Sequence, residues 1–261
     1  MLAPPRQVSS GFGFRRRAIA AGVHLLISAL VAGLAAVLVF GLWYPGQFRV
    51  LAGGRELFFL VTSVDVILGP VLTFSVFNPA KGMRQLRRDL AVIGAIQLAA
   101  LAYGLHTVYI ARPVAMVFEV DRLRLVTAND VVVDELSKAL PQYRELPFSG
   151  PLLLGTRKPR AGDEHNDALF QGLAGNDISR RPLFWQSYDQ SRADVLERAR
   201  PLSILLDHYP TQAAAMRDRL ASFNADVSTG RFLPAIARGD WIAVLDSTGQ
   251  VLGYLPYDGF F

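Results

Sequence analysis

The residue with the most chemical potential in this sequence is Asp65, set in an otherwise apolar stretch, Thr62-Ser63-Val64-Asp65-Val66-Ile67-Leu68-Gly69-Pro70. A central Asp costs a membrane helix about 2.5–3.5 kcal/mol on insertion scales, and each Leu or Ile returns about 0.3–0.6, so one Asp offsets roughly six apolar residues. Such a group must face a helix interface or a partner rather than lipid, and it is a functional candidate by default. Depth follows from a rise of about 1.5 Å per residue, counted from the basic helix ends: Asp65 at about 18 Å, Tyr103 at about 20 Å and Ser28 at about 15 Å. These three would share one polar layer if their faces converge. His24 and Gln97 fall at about 9–11 Å on the same count and would form a second layer. Three roles are open to these groups: holding the helices together, binding a partner's transmembrane segment, or passing protons or ions. One acid among three helices makes a thin pathway for the last. Gly69 permits close helix approach, and Pro70 is expected to kink the helix and free a backbone carbonyl.

Elsewhere the chemistry is sparse. The chain has no cysteine, which excludes disulfides, thiolate catalysis and Cys-based metal sites. No G-x-S-x-G, H-E-x-x-H or Walker A sequence occurs, and no G-x-G-x-x-G follows a strand. His165 and His208 stand alone and read as surface or capped histidines rather than ligands. The carboxylates Glu119, Asp121 and Asp134 could serve a membrane-anchored periplasmic enzyme, but nothing distinguishes them from surface charges. No catalytic residue, metal or cofactor is therefore expected.

The elements that must position Asp65 are three apolar runs, at about residues 18–43, 57–77 and 90–110. Each approaches the 20 or so residues needed to cross roughly 30 Å of hydrocarbon. The first is too long for a signal peptide and lacks a cleavage site. It ends at Trp43-Tyr44, an aromatic belt, and then Pro45-Gly46. Mean hydropathy is +0.27, and the excess is concentrated in these runs. Charge is divided too. Residues 1–110 carry ten Arg or Lys against three Asp or Glu, and residues 111–261 carry seventeen against nineteen. The basic surplus flanks the apolar runs, which argues for membrane orientation and against a nucleic-acid partner.

The flanks decide the orientation. Arg15, Arg16 and Arg17 precede the first run, and Lys81, Arg84, Arg87 and Arg88 lie between the second and third, where only Arg49 and Arg55 occupy the other connection. Positive flanks stay inside. The expected organisation is a cytoplasmic basic arm (1–17), three transmembrane helices (18–112) and a periplasmic domain (113–261) in the inner membrane. A buried helical core of a soluble protein is disfavoured by this alternation. A sensor is disfavoured by cytoplasmic parts of only about 17 and 12 residues. A small transporter subunit would need several copies to build a pathway around Asp65.

The last 150 or so residues read as an α+β domain of a size that supports its own core. Strands are expected at 114–120, 123–126 and 151–155, with a helix at 131–140 capped by Asn129 or Asp130. Further helices are expected at 163–173, 187–200 and 210–223. A hairpin is expected from 241–245 and 251–255 around Asp246-Ser247-Thr248-Gly249-Gln250. The aromatic tail, Tyr257 with Phe260-Phe261, is expected to fold back on the domain, and Gly11-Phe12-Gly13-Phe14 reads as a disordered tail.

Several stretches together resemble the TfpX/TfpZ family of type IV pilin accessory proteins. They are His24-Leu25-Leu26-Ile27-Ser28-Ala29-Leu30, Trp43-Tyr44-Pro45-Gly46, Val64-Asp65-Val66-Ile67-Leu68-Gly69-Pro70-Val71-Leu72-Thr73, Gln97-Leu98-Ala99-Ala100-Leu101-Ala102-Tyr103-Gly104, and Phe118-Glu119-Val120-Asp121-Arg122. The likeness is dense over residues 20–130 and thins beyond. It implies a non-enzymatic, chaperone-like inner-membrane factor that promotes pilus assembly. The implied partners are a cognate type IV major pilin, the lipid bilayer and further pilus assembly components. The resemblance carries no residue-level binding site. Asp65, Tyr103, Ser28, His24 and Gln97 are partner-binding candidates on the polarity argument alone.

Overall fold

The computed structural model describes residues 10–78 and 82–261. Lys81 lies outside the described residues. Three long helices carry the apolar runs: α1 (Ser10–Leu38), extended by one π-helical turn over Val39–Trp43, α3 (Gly54–Val76) and α4 (Met83–Ile110). A single-turn α2 (Phe48–Leu51) interrupts the connection between the first two. All three long helices are long and apolar enough to cross a membrane.

The helices begin earlier than hydropathy places them. Arg84, Arg87 and Arg88 form the first turns of α4 instead of a loop, and Arg15, Arg16 and Arg17 lie in the first turns of α1. Arg is a good helix former, so a basic flank extends a helix that an apolar run has nucleated. For the same reason the Gly11–Phe14 stretch is helical rather than disordered, and the Phe14 ring meets Phe74 edge-on at 5.5 Å.

The chain divides into two compact units, one of residues up to Gly41 with Arg55–Tyr109, the other of Leu42–Gly54 with Ile110–Phe261. The helical unit exposes large apolar side chains and buries polar ones among the apolar residues of its interior. Leu26 and Val37 are 72% exposed and Leu60 68%, whereas Thr73 is 2% exposed and Thr62 is also buried. That inversion suits lipid as solvent: the outward side chains need no water, and the polar groups must find partners within the bundle. Close approach is built in at Gly104, where an added Cβ would lie 2.1 Å from Val61 Cγ1.

The second unit is an α+β domain around an eight-stranded mixed sheet. Its strands are β1 (Pro113–Glu119), β2 (Arg122–Thr127), β3 (Leu152–Thr156), β4 (Trp185–Ser187), β5 (Arg200–Pro201), β6 (Arg231–Ala237), β7 (Gly239–Leu245) and β8 (Val251–Leu255). The order is β4-β3-β1-β2-β6-β7-β8, with β5 pairing β6. Among the described residues, only β1–β3 and β2–β6 pair in parallel. β1 is buried at all seven positions, so it reads as a continuous apolar run, as a strand covered on both faces does. The β1–β2 turn is Val120-Asp121, one residue earlier than expected, with Val120 at φ +54°. A β-branched residue in that region is unusual, since the two-residue hairpin favours Asn, Asp or Gly there.

The helices of this unit are α5 (Asp163–Leu173), α6 (Tyr188–Arg198), α7 (Leu202–His208) and α8 (Ala213–Ser222). α7 and α8 form one core with Phe232, Ile242, Val244 and Leu255 of the sheet. Over 131–140 the expected α-helix is instead 3-10 (Val133–Lys138), preceded by a capping box of Thr127 and Asp130. The C-terminal tail folds back: the Phe261 ring stacks on His208 at 3.6 Å, and Arg200 Nη1 donates to its carbonyl at 2.5 Å.

The connection Leu42–Gly54 belongs to the core of the sheet unit. Leu51 is fully enclosed in a cluster with Met116, Leu123, Leu233, Leu245 and Tyr254. Its carbonyl accepts from Arg238 N at 2.9 Å, and the carbonyl of Leu42 accepts from Gly150 N at 2.7 Å. The Gln47 side chain takes the place of a neighbouring strand at β8. Its Nε2 donates to Tyr254 O at 3.0 Å, and its Oε1 accepts from Tyr254 N at 3.0 Å. A side-chain amide has the same donor and acceptor pair as a peptide group, so it can blunt a sheet edge.

Candidate functional site

The helical unit places its polar groups on facing helix stripes. On α3, Thr62, Asp65, Gly69 and Thr73 follow one another at steps of three, four and four, which is a single face. On α1, His24, Ile27, Ser28, Val31 and Ala32 repeat in the same way, and α4 contributes Gly94, Gln97, Leu98 and Leu101. Together His24, Ser28, Thr62, Asp65 and Gln97 line a half-open cleft of about 220 Å³ with those apolar residues. The two polar layers expected from depth counting are thus one site. Gln97 reaches Asp65 through the backbone carbonyl of Asp65, and His24 joins the same α3 stripe at Thr73.

Three hydrogen bonds order the cleft. His24 Nδ1 and Thr73 Oγ1 are 2.5 Å apart. Gln97 Nε2 donates to the backbone carbonyl of Asp65 at 3.2 Å, and Thr62 Oγ1 donates to Phe58 O at 2.9 Å. Gly69 makes room for them: a Cβ there would lie 2.1 Å from Gln97 Nε2 and 3.0 Å from His24 Nε2. α3 continues as a helix through Pro70. Among the described residues, none offers a hydrogen bond to the enclosed Asp65 Oδ1 or Gln97 Oε1. An enclosed acceptor without a donor costs about 1–3 kcal/mol, so each such atom calls for an explanation.

Tyr103 does not join this layer. It is 75% exposed, because at about 100° per residue it points between about 120° and 180° away from each of the four α4 residues that line the cleft. Depth alone could not reveal this. Thr62 and Thr73 are the polar residues that sequence reasoning passed over. Their signal was available: the spacing from Thr62 through Asp65 and Gly69 to Thr73 is one helical stripe.

Of the three acidic residues weighed as catalytic, Asp134 is exposed in the first turn of the 3-10 helix, and Glu119 and Asp121 are engaged in structural ion pairs. Glu119 Oε1 pairs with Arg124 Nε at 2.5 Å, and its other oxygen accepts from Ser179 N at 3.2 Å. Asp121 pairs with Arg122 at 2.7 Å. Buried Arg181 is held by Glu135 at 2.6 Å and Asp167 at 2.7 Å, with the Phe184 ring beneath it. At the start of α5, Arg157 forks onto Glu164 at 2.8 and 3.0 Å. That hydrogen bonding, with Arg160 N adding another, draws the Glu164 carboxyl down to about 2. Among the described residues, no three His, Asp or Glu side chains converge as a metal site would require.

Comparison with known proteins adds the following. A family model described as Fimbrial assembly protein FimB matches residues 12–53, a stretch that runs from the first turns of α1 through most of the connection buried in the sheet unit. The fimbrial assembly protein of serogroup I from Dichelobacter nodosus is 34% identical over 242 residues, covering 92% of this chain and 94% of that protein. The serogroup E1 protein is 33% identical with the same coverage. The protein of serogroups C1 and C2 is 44% identical over 118 residues, 45% of this chain and 90% of its own. No solved structure matches.

Proposed function

Because this chain belongs to the fimbrial assembly protein family, we propose that it is an inner-membrane accessory factor for type IV pilus assembly, of the TfpX/TfpZ kind, and that it acts as a chaperone for a cognate major pilin. The observation that carries this is the combination, in one chain, of a polar cleft among lipid-facing helices and an α+β domain with its own core. A pilin awaiting assembly has an apolar helix in the bilayer and a soluble head outside it. A factor that handles it needs a polar contact within the membrane and a docking surface beyond it.

In this reading the N-terminus and the α3–α4 connection, with Arg84, Arg87 and Arg88, are cytoplasmic, and the sheet unit is periplasmic. His24, Ser28, Asp65 and Gln97 meet the pilin helix at the cleft. Tyr103, on the opposite face of α4, remains available to a second helix. Polar groups inside membranes act as specific glue between helices, each contact being worth about 0.6 kcal/mol and at most about 2.

Three measurements test the proposal. A C-terminal alkaline phosphatase fusion should be active, and an inactive one would overturn the orientation. The detergent-extracted protein should co-purify with its own host's major pilin and not with a foreign one. Asp65→Ala should insert normally yet reduce surface pili, and full piliation by that variant would remove Asp65 from the mechanism.

A further inference from the structure

Arg49 and Arg219 line one pocket of the sheet unit, of about 430 Å³, together with Phe223, Trp241, Tyr254 and Pro256. Arg49 stands on the single-turn α2 and Arg219 in the last turn of α8, and both are exposed. Among the described residues, neither guanidinium has a hydrogen bond or an ion pair, and no Asp or Glu lines the pocket. Asp218 and Asp240 adjoin lining residues in sequence but do not line it themselves. Neighbours on a helix diverge by about 100°, and neighbours on a strand point to opposite faces. The pocket is therefore cationic, and the turn that carries Arg49 is held on both sides. Leu51 is enclosed in the core, and both ends of the Gln47 amide are bonded to Tyr254. Two guanidinium forks against an aromatic wall, with no anion of the chain's own between them, match a phosphate group.

Chain connectivity points to the source of that phosphate. Arg49 lies six residues after Trp43, where the first helical run ends, and five before Gly54, where α3 begins. Fully extended, such a length spans at most about 20 Å, and the helical turn within it shortens the reach further. Arg49 is thus tethered beside the headgroup layer that borders the hydrocarbon, where aromatic side chains such as Trp241 also gather. We propose that this pocket binds the phosphate of an anionic phospholipid of the bilayer that α1 and α3 cross, with Arg49 and Arg219 as its cationic contacts and the aromatic wall against the glycerol backbone. The inference requires that these helices span the bilayer, and it depends neither on the pilin reading nor on the intramembrane cleft.

The test is native mass spectrometry of the full-length protein in detergent, titrated with phosphatidylglycerol, phosphatidylcholine or inorganic phosphate. Phosphatidylglycerol is expected to bind at least about fivefold more tightly than phosphatidylcholine. Arg49→Gln and Arg219→Gln are each expected to weaken its binding about fivefold, the typical contribution of one Arg near an anionic membrane surface. Arg217→Gln removes an exposed charge from the same helix but not from the pocket, and is expected to leave binding unchanged. Equal affinity for the two lipids, or an equal loss in Arg217→Gln and Arg219→Gln, would overturn the inference. So would displacement of phosphatidylglycerol by millimolar inorganic phosphate, which would make the site one for a free anion. The two arginines stand on separate elements, so if one variant fails to accumulate the other decides. Loss of pilin capture in Arg49→Gln or Arg219→Gln, with phosphatidylglycerol binding unchanged, would overturn the inference and assign the pocket to a protein partner. Lipid binding as expected in a protein that captures no pilin would leave the inference standing and remove the accessory role.

Discussion

Leu51 offers the sharpest test of how this chain is assembled. It lies in the short connection between α1 and α3, yet it is 0% exposed and packs among Met116, Leu123, Leu233 and Leu245 of the sheet unit. Truncating a buried Leu to Ala removes the transfer energy of the lost carbons and leaves a cavity, at a cost of 2–5 kcal/mol, about 3 here. For a domain of 150–250 residues each kcal/mol moves the melting midpoint by roughly 2–4 °C, so Leu51→Ala should lower it by about 6–12 °C. The neighbouring Val50 is 39% exposed and provides the control, since Val50→Ala should stay within about 0.5 kcal/mol. The assay is thermal unfolding of the full-length protein in detergent, followed by proteolysis within the β6–β8 region. If cleavage there begins at the same temperature in Leu51→Ala as in the unmodified protein, the connection is not part of the sheet's core and the division into units described above is wrong.

Other expectations follow from the same contacts. Gln47→Ala removes both hydrogen bonds to Tyr254; at about 1 kcal/mol each, hydrogen exchange at the Tyr254 amide should quicken by about tenfold or more. Gly69→Ala forces a Cβ to within 2.1 Å of Gln97 Nε2 and should lower the stability of the helical unit by about 1–3 kcal/mol, seen as a lower aggregation temperature in detergent. Gly94→Ala meets nothing within 4 Å and should be silent in that assay. Glu164 has its carboxyl drawn down to about 2 by Arg157. Its stabilising contribution is therefore complete above the ordinary Glu range near 4.5, shrinks as pH falls below that, and is lost once pH passes through about 2. Urea midpoints of Glu164→Gln and the unmodified protein should differ at pH 6 and converge towards pH 2.

From the arrangement of the helical unit, changes in its polar stripe are expected to be costly, and exchanges among apolar residues on its outer faces are expected to be mild. Leu26, Val37 and Leu60 on the outer faces are largely exposed, so one apolar residue there is expected to replace another. Thr62, Asp65, Gly69 and Thr73 share one stripe, and the last three meet Gln97 or His24 of the neighbouring helices, so a change at any of these disturbs the packing between helices. That stripe is where variants affecting assembly without preventing insertion are expected to concentrate.

Much of this was legible in the chain itself. Twenty-residue apolar runs show their length without any tertiary context, because the bilayer sets it, and the hairpin of β7 and β8 announces itself through local alternation and a Gly-containing turn. The intramembrane carboxylate was equally visible, since any charge in such a run stands out. What needed the folded chain were facts about facing and partnership. Tyr103 matches Asp65 in depth but not in azimuth. β6 carries Pro234 and so does not read as an interior strand; it is tolerated because Pro234 falls between the positions that pair β5 and those that pair β2. Leu51 and Gln47 sit in a connection whose composition says only that it links two spans. Hydropathy and propensity are properties of neighbours along the chain. Which side chains meet in the cleft, and which loop completes a distant sheet, depend on residues far apart in sequence, up to some 200 positions for Gln47 and Tyr254, and only packing brings those together.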